Sequence, residues 1–247
     1  MKADPFAQLK LLDVQELDSR HDQLRHRLAT LPQIAELKDL TRQRDQLFDR
    51  TRDARIVVDD LTREQKRADA DVEQVKARRK RDQDRMDQGL ISSPKDLERM
   101  QSELVSLERR ISSLEDTELE VMEKLEDAQR DLDGLDAQLA ELDGRIATAE
   151  KTRDEAAAEI EEQLAGTVAE RERTASDMPE DLMKLYTRLR EQKGGVGAAL
   201  LRAHSCGGCS LQLNSSELAE IARTPSDEVL RCDECNRILV RTSESGV

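Results

Sequence analysis

The sequence predicts a mainly α protein: a long antiparallel coiled-coil hairpin followed by a small β-rich domain organised around four cysteines. Three observations predict it. Charged residues make up 38% of the 247 residues and aromatics 1%, the composition of long helices rather than of a broad core. Apolar residues recur at 3-4 spacing over ten unbroken heptads. The four cysteines fall in two matched CxxC pairs near the C-terminus.

The heptads define the second arm. With Leu97 at position a, seventeen of the twenty a and d positions through Gln163 are apolar, among them Leu104, Leu107, Ile111, Leu114, Val121, Leu132 and Ile160. The first arm repeats the theme from Leu37 to Met86. Ten of its fifteen a and d positions are apolar, with Arg44, Gln65, Arg79 and Asp82 as polar intruders. An earlier run (Val14, Leu17, Leu24, Leu28, Leu31, Ala35) is out of phase with these, and Pro32 sits at the phase shift, where a ring without an N–H breaks or kinks a helix.

Between the arms, Gly89 suits a helix C-cap. Ser93, Pro94 and Asp96 suit an N-cap, a first helical position and an acidic variant of the capping box. A stop followed so closely by a start folds the two arms back on each other, each roughly 75–100 Å long at about 1.5 Å per residue. Beyond Gly166, Asp177 to Glu180 restarts a short helix carrying Leu182, Leu185, Tyr186 and Leu189, with Tyr186 a packing residue, and Gly194-Gly195 ends it. The expected organisation is an elongated hairpin over residues 1–175 with its turn near 88–95, a connecting helix over 176–195, the cysteine domain over 196–241, and a disordered tail over 242–247.

Cys206-Gly207-Gly208-Cys209 and Cys232-Asp233-Glu234-Cys235 lie 22 residues apart. A CxxC turn sets two thiolates on one tetrahedral edge, and two such turns close a four-sulfur site, the arrangement of structural Zn2+. Ligand type leaves iron open as an alternative. His204 is a neighbour of the site rather than a needed ligand. A capping box at Asn214 to Glu217 opens a short helix, and the runs Leu211–Leu213, Val229–Arg231 and Ile238–Val240 suit strands, which together make a zinc ribbon.

A closed site keeps no position for water or substrate, and the chain has no phosphate-cradling Gly-rich loop, HExxH or nucleophile elbow. No catalytic residue, small-molecule substrate or enzyme activity is expected. No apolar stretch approaches the ~18 residues of a membrane span, and no apolar h-region follows Lys2 and Asp4. The expectation is a cytoplasmic protein that does not enter membranes.

A helical hairpin followed by Cys206 to Cys209 and then Cys232-Asp233-Glu234-Cys235-Asn236-Arg237-Ile238-Leu239 resembles the bacterial coiled-coil proteins with a C-terminal C4-type zinc ribbon. Arg237-Ile238-Leu239 is similar to the end-of-ribbon signature, with Asn236 where that signature usually has Gly. The resemblance spans the chain in architecture, and its sequence-specific part is about the last 50 residues. It implies an adaptor: flagellar and type III secretion members bind the sigma-54 factor, and one binds a flagellin transcript. The chain also resembles the secondary-channel regulators of RNA polymerase, which place acidic residues at a hairpin tip, as Asp82, Asp84, Asp87 and Asp96 are placed here.

Charge narrows the partners. The net charge is -14, and residues 115–136 carry ten acidic and two basic residues. Near the tip, Lys76, Arg78, Arg79, Lys80, Arg81 and Arg85 form a basic cluster. It reads either as solvated coiled-coil faces with interhelical ion pairs or as a patch for RNA or an acidic protein surface. The ribbon has more acidic than basic residues and no aromatics for stacking, so a protein is its expected partner. Apolar residues left over on the first arm leave room for a homodimer.

Overall fold

A computed structural model describes residues 1–246, roughly three-quarters of them helical. In chain order the elements are α1 (Pro5–Ala29), α2 (Pro32–Asp87), α3 (Pro94–Ala175), α4 (Glu180–Gln192), β1 (Ala198–Arg202), β2 (Ser205–Cys206), α5 (Ser215–Arg223), β3 (Leu230–Arg231) and β4 (Ile238–Val240). They fall into two compact units. One is residues 36–150; the other joins residues 1–35 to the chain from Lys151 onward.

The first of these is the hairpin. Gly89 takes φ +65°, its N–H donates to the Met86 carbonyl (3.0 Å), and the Leu90 N–H donates to the Arg85 carbonyl (3.3 Å). That is a Schellman stop, which favours glycine because of the positive φ. Pro94 then opens α3, with the Ser93 carbonyl accepting from the Asp96 and Leu97 N–H groups at 3.1 and 3.0 Å. Asp96 lies in the first turn, where the helix dipole favours a carboxylate. Pairing runs antiparallel without slip: Arg44 meets Asp143 and Arg79 meets Glu108, 35 residues apart on each arm.

The predicted seam is the buried one. Every a and d position of α3 from Met100 to Ala149 is at least half-buried, and Leu37, Leu40 and Leu47 pack against Leu142, Ile146 and Ala149. The polar intruders are accommodated locally. Arg44 bonds Asp143 at 3.0 Å and lies over the Phe48 ring, and the buried Thr51 hydroxyl donates to the Leu47 carbonyl (3.0 Å). Arg79 leaves the seam, exposed, to meet Glu108.

In the second unit the break at Pro32 is present, since α1 ends at Ala29 and α2 begins on the proline. Helix α1 does more than extend the coiled coil. Leu11 and Val14 are fully buried with Leu182, Tyr186 and Leu189 of α4 and with Ala198, Ile238 and Val240 of the sheet. Farther along, Leu24 and Leu31 pack on Ile160. The expected boundaries at 175 and 195 therefore differ from the observed division: α1, α4 and the ribbon share one core. The reason lies in polar residues of α1. Buried Gln15 accepts from the Gly197 N–H (2.7 Å) and donates to the Gly195 carbonyl (2.9 Å), and Gln8 donates to the Ser226 carbonyl (3.1 Å).

The sheet order is β2-β1-β4-β3, with β1 parallel to β4 and the other pairs antiparallel. The apolar run Ala198–Leu201 is its central strand. Of the expected Leu211–Leu213 strand only Gln212 forms a bridge, to Ser205, and Leu211 is exposed. The β1–β2 link is a two-residue turn, Ala203-His204, with both φ positive (44° and 63°), the twist a tight hairpin requires.

The C-terminal tail differs from the disorder expected of it. Residues 242–246 are tied down rather than disordered; Val247 lies outside the described residues. The Ala203 and His204 N–H groups donate to the Glu244 (2.9 Å) and Ser245 (3.3 Å) carbonyls, and the buried Ser245 hydroxyl reaches the Leu201 carbonyl at 2.9 Å. A segment that pairs donors freed by a tight turn has reason to be ordered. Among the described residues, no helix is long and apolar enough to cross a membrane.

Candidate metal centre

The two CxxC turns are built alike. In the first, the Ser210 N–H donates to the Cys206 carbonyl (2.8 Å) and the Cys206 N–H to the Leu211 carbonyl (3.0 Å). In the second, the Asn236 N–H donates to the Cys232 carbonyl (2.7 Å) and the Cys232 N–H to the Arg237 carbonyl (3.0 Å). The residue after each second cysteine has positive φ: 60° at Ser210 and 64° at Asn236. This explains the site where Gly is usual. Asn is among the side chains that tolerate the left-handed region best, so the knuckle keeps its shape.

The four sulfurs all lie within 4.8 Å of one another, with Cys206–Cys235 at 3.8 Å and Cys209–Cys232 at 3.9 Å. A tetrahedron with Zn–S bonds of about 2.3 Å has edges of about 3.8 Å, so the sulfurs stand where zinc needs them. A disulfide requires ~2.05 Å, and the four cysteines are free. All four predicted ligands come together. His204 does not join them; its Nε2 lies 2.9 Å from the Gly246 carbonyl.

Without metal the thiols are poised unequally. Burial pushes Cys206 up, against N–H groups of Gly208 and Cys209 that favour its thiolate. Burial likewise pushes Cys232 up to about 12. Burial also opposes the Cys235 thiolate, but the Arg237 backbone and side chain and the Cys232 and Cys209 thiols outweigh it and hold Cys235 at about 7. Zinc binding replaces the remaining protons, so its affinity rises with pH.

The centre is anchored by residues the spacing of cysteines does not reveal. Arg237 donates to the Val196 (2.9 Å) and Lys193 (2.8 Å) carbonyls, while Ile238 and Leu239 are fully buried. The end-of-ribbon signature thus ties the second knuckle to the exit of α4. At Gly197 an added Cβ would lie 2.6 Å from the Tyr186 carbonyl oxygen and 3.0 Å from the Arg190 nitrogen, so only glycine lets the ribbon enter there.

Residues 14–194 match the CT398-like coiled coil hairpin domain, and residues 205–239 match the C4-type zinc ribbon domain. The chain belongs to the CT398-like coiled-coil hairpin family. Its relatives include the Mycobacterium tuberculosis protein Rv2229c (strain H37Rv), 35% identical over 241 residues and covering 98% of each chain. A solved structure from Mycobacterium smegmatis aligns with a TM-score of 0.86 at 30% identity, covering 98% of this chain and 100% of its own. CT398 of Chlamydia trachomatis aligns with a TM-score of 0.67 at 17% identity, covering 96% of this chain and 98% of its own, a likeness of fold. The ribbon match and the four clustered sulfurs make the cysteine centre a C4 zinc site.

The family's hairpin places the basic cluster as follows. Lys76 bonds Glu115 (2.8 Å), Arg78 pairs with Glu103 and Arg79 with Glu108, each across to α3. Lys80, Arg81 and Arg85 are exposed. Half of the cluster is thus interhelical pairing, which leaves three cations for a ligand.

Proposed function

We propose that this protein is a non-enzymatic, cytoplasmic zinc adaptor whose ribbon and coiled coil dock a protein partner. The observation that carries the reading is the closed four-sulfur centre. Zinc held by four thiolates has no open position, so its role is to shape a surface rather than to activate water. The resemblance to flagellar and secretion-type adaptors directs the search toward transcription or secretion machinery. Lys80, Arg81 and Arg85 favour a second reading, an RNA-binding regulator that engages phosphates near the hairpin tip. The test is partner capture on the zinc-loaded chain with and without nuclease. Protein partners that survive nuclease support the adaptor. Loss of all partners with nuclease, together with RNA release that is abolished by Lys80→Gln, Arg81→Gln and Arg85→Gln, would replace it with the RNA regulator.

A further inference from the structure

Four ion pairs across the hairpin fall at seven-residue steps on α3, at Glu108, Glu115, Asp136 and Asp143, facing Arg79, Lys76, Arg55 and Arg44, while Arg78 with Glu103 pairs off this series nearer the turn. The two intervening steps carry Met122 and Gln129, and no such rung forms there. In its place lies an open groove of about 640 Å³, walled by Thr62 and Gln65 of α2 and by Leu119, Met122 and Gln129 of α3. Leu119 is 57% exposed and Met122 43%, large apolar side chains turned toward water at mid-hairpin.

The rim is acidic. Glu123, Glu126 and Asp133 border the groove, within the 115–136 stretch of ten acidic and two basic residues. The one cation lining it among the described residues, Arg130, is held by Asp127 (2.7 Å) and Glu126 (3.6 Å). An apolar floor between two helices accepts the apolar stripe of a third, and carboxylate rims select for cations on its flanks. The same rim repels nucleic-acid phosphates.

We infer that this groove docks a basic amphipathic helix of a partner protein, which seats its apolar residues on Leu119 and Met122 and sets Lys or Arg against Glu123, Glu126 and Asp133. The inference deepens the adaptor reading and rests on it. Ten residues line the groove against the roughly 20–30 a side of stable complexes, so contact here is one part of a larger interface or a weak one.

The probe is a fluorescein-labelled 18-residue peptide with Leu at 3-4 spacing and Lys elsewhere, with a Leu/Glu peptide of the same pattern as control. Anisotropy is measured at physiological salt on the full zinc-loaded chain. Leu119→Gln/Met122→Gln should weaken binding of the Lys peptide about tenfold or more. Removing carboxylates elsewhere, with Glu159→Gln/Glu161→Gln/Glu162→Gln, should change it less than about twofold. Both residues of the first pair are exposed, and Leu119→Ala alone gives a milder variant that keeps the test open should the pair misfold. Equal weakening by both sets, or equal binding of the Leu/Glu peptide, overturns the inference. So does sedimentation showing a dimer that Leu119→Gln/Met122→Gln dissociates, since a second copy would then fill the groove. Nuclease-resistant partners that the groove variant still captures would leave the adaptor standing and remove this site.

Discussion

Asp18 on α1 carries the side-chain network that holds α1, α3 and α4 together in the ribbon unit, and its loss should be felt there first. Its carboxylate, 6% exposed, accepts from the Tyr186 hydroxyl (2.7 Å) and from Arg171 Nε and Nη2 (2.6 and 3.3 Å), and Arg190 Nη2 reaches its backbone carbonyl (3.4 Å). Asp18→Asn keeps the shape but removes the charge. Hydrogen bonds to charged groups contribute about 1.5–3 kcal/mol each, and breaking a buried pair costs about 3–5 kcal/mol. The Arg171 side chain is 32% exposed and can rehydrate, so we expect a loss at the lower end, about 2–3 kcal/mol. Tyr186 is the only tyrosine and the chain has no tryptophan, so its emission in urea titrations follows this unit. A double-mutant cycle with Tyr186→Phe, read by far-UV circular dichroism, should show coupling of about 1 kcal/mol. A loss below about 0.5 kcal/mol for Asp18→Asn, or strict additivity in the cycle, would refute the network as a stabilising unit.

Three further outcomes follow from the same unit. Cys232→Ser should release zinc and melt α1, α4 and α5 in a first transition. With residues 151–175 of α3, which belong to the same unit, these hold about two-fifths of the helical residues, so a larger helical loss at that step would count against the separate hairpin unit. Gly197→Ala, whose Cβ meets backbone atoms at 2.6 and 3.0 Å, should destabilise by about 1–3 kcal/mol in the emission assay; an unchanged midpoint would show that α4 and β1 move apart freely. Burial, followed by its bond to Asp18, raises the Tyr186 pKa above its ordinary value near 10. The folded state therefore favours the protonated phenol, a stabilisation complete below pH ~10 and lost as pH rises toward the folded value. The stability gap between the native chain and Tyr186→Phe should narrow above pH ~10, and a gap that stays constant there would contradict the burial argument.

The sequence by itself determined the hairpin and the zinc centre, because both are local codes. A 3-4 repeat defines its own seam, Gly89 and Pro94 act within their own turn, and a CxxC pair preorganises its two sulfurs. Asn236 stands where the signature usually has Gly, and the left-handed φ found there explains the position. Tertiary structure decided what α1 does. Gln8, Gln15 and Asp18 look like ordinary solvated helix positions until Ser226, Gly197 and Tyr186, more than 150 residues away, bring hydrogen bonds to them. The Ala203-His204 turn lacks the Asn or Gly that announces positive φ, and residues 242–246 order because that turn leaves donors for them to pair. The basic cluster looked uniform along the chain and was divided by the register of α3, which spends Lys76, Arg78 and Arg79 on facing carboxylates. Periodicity and spacing act between near neighbours, whereas the burial of a polar group depends on which distant segment arrives beside it.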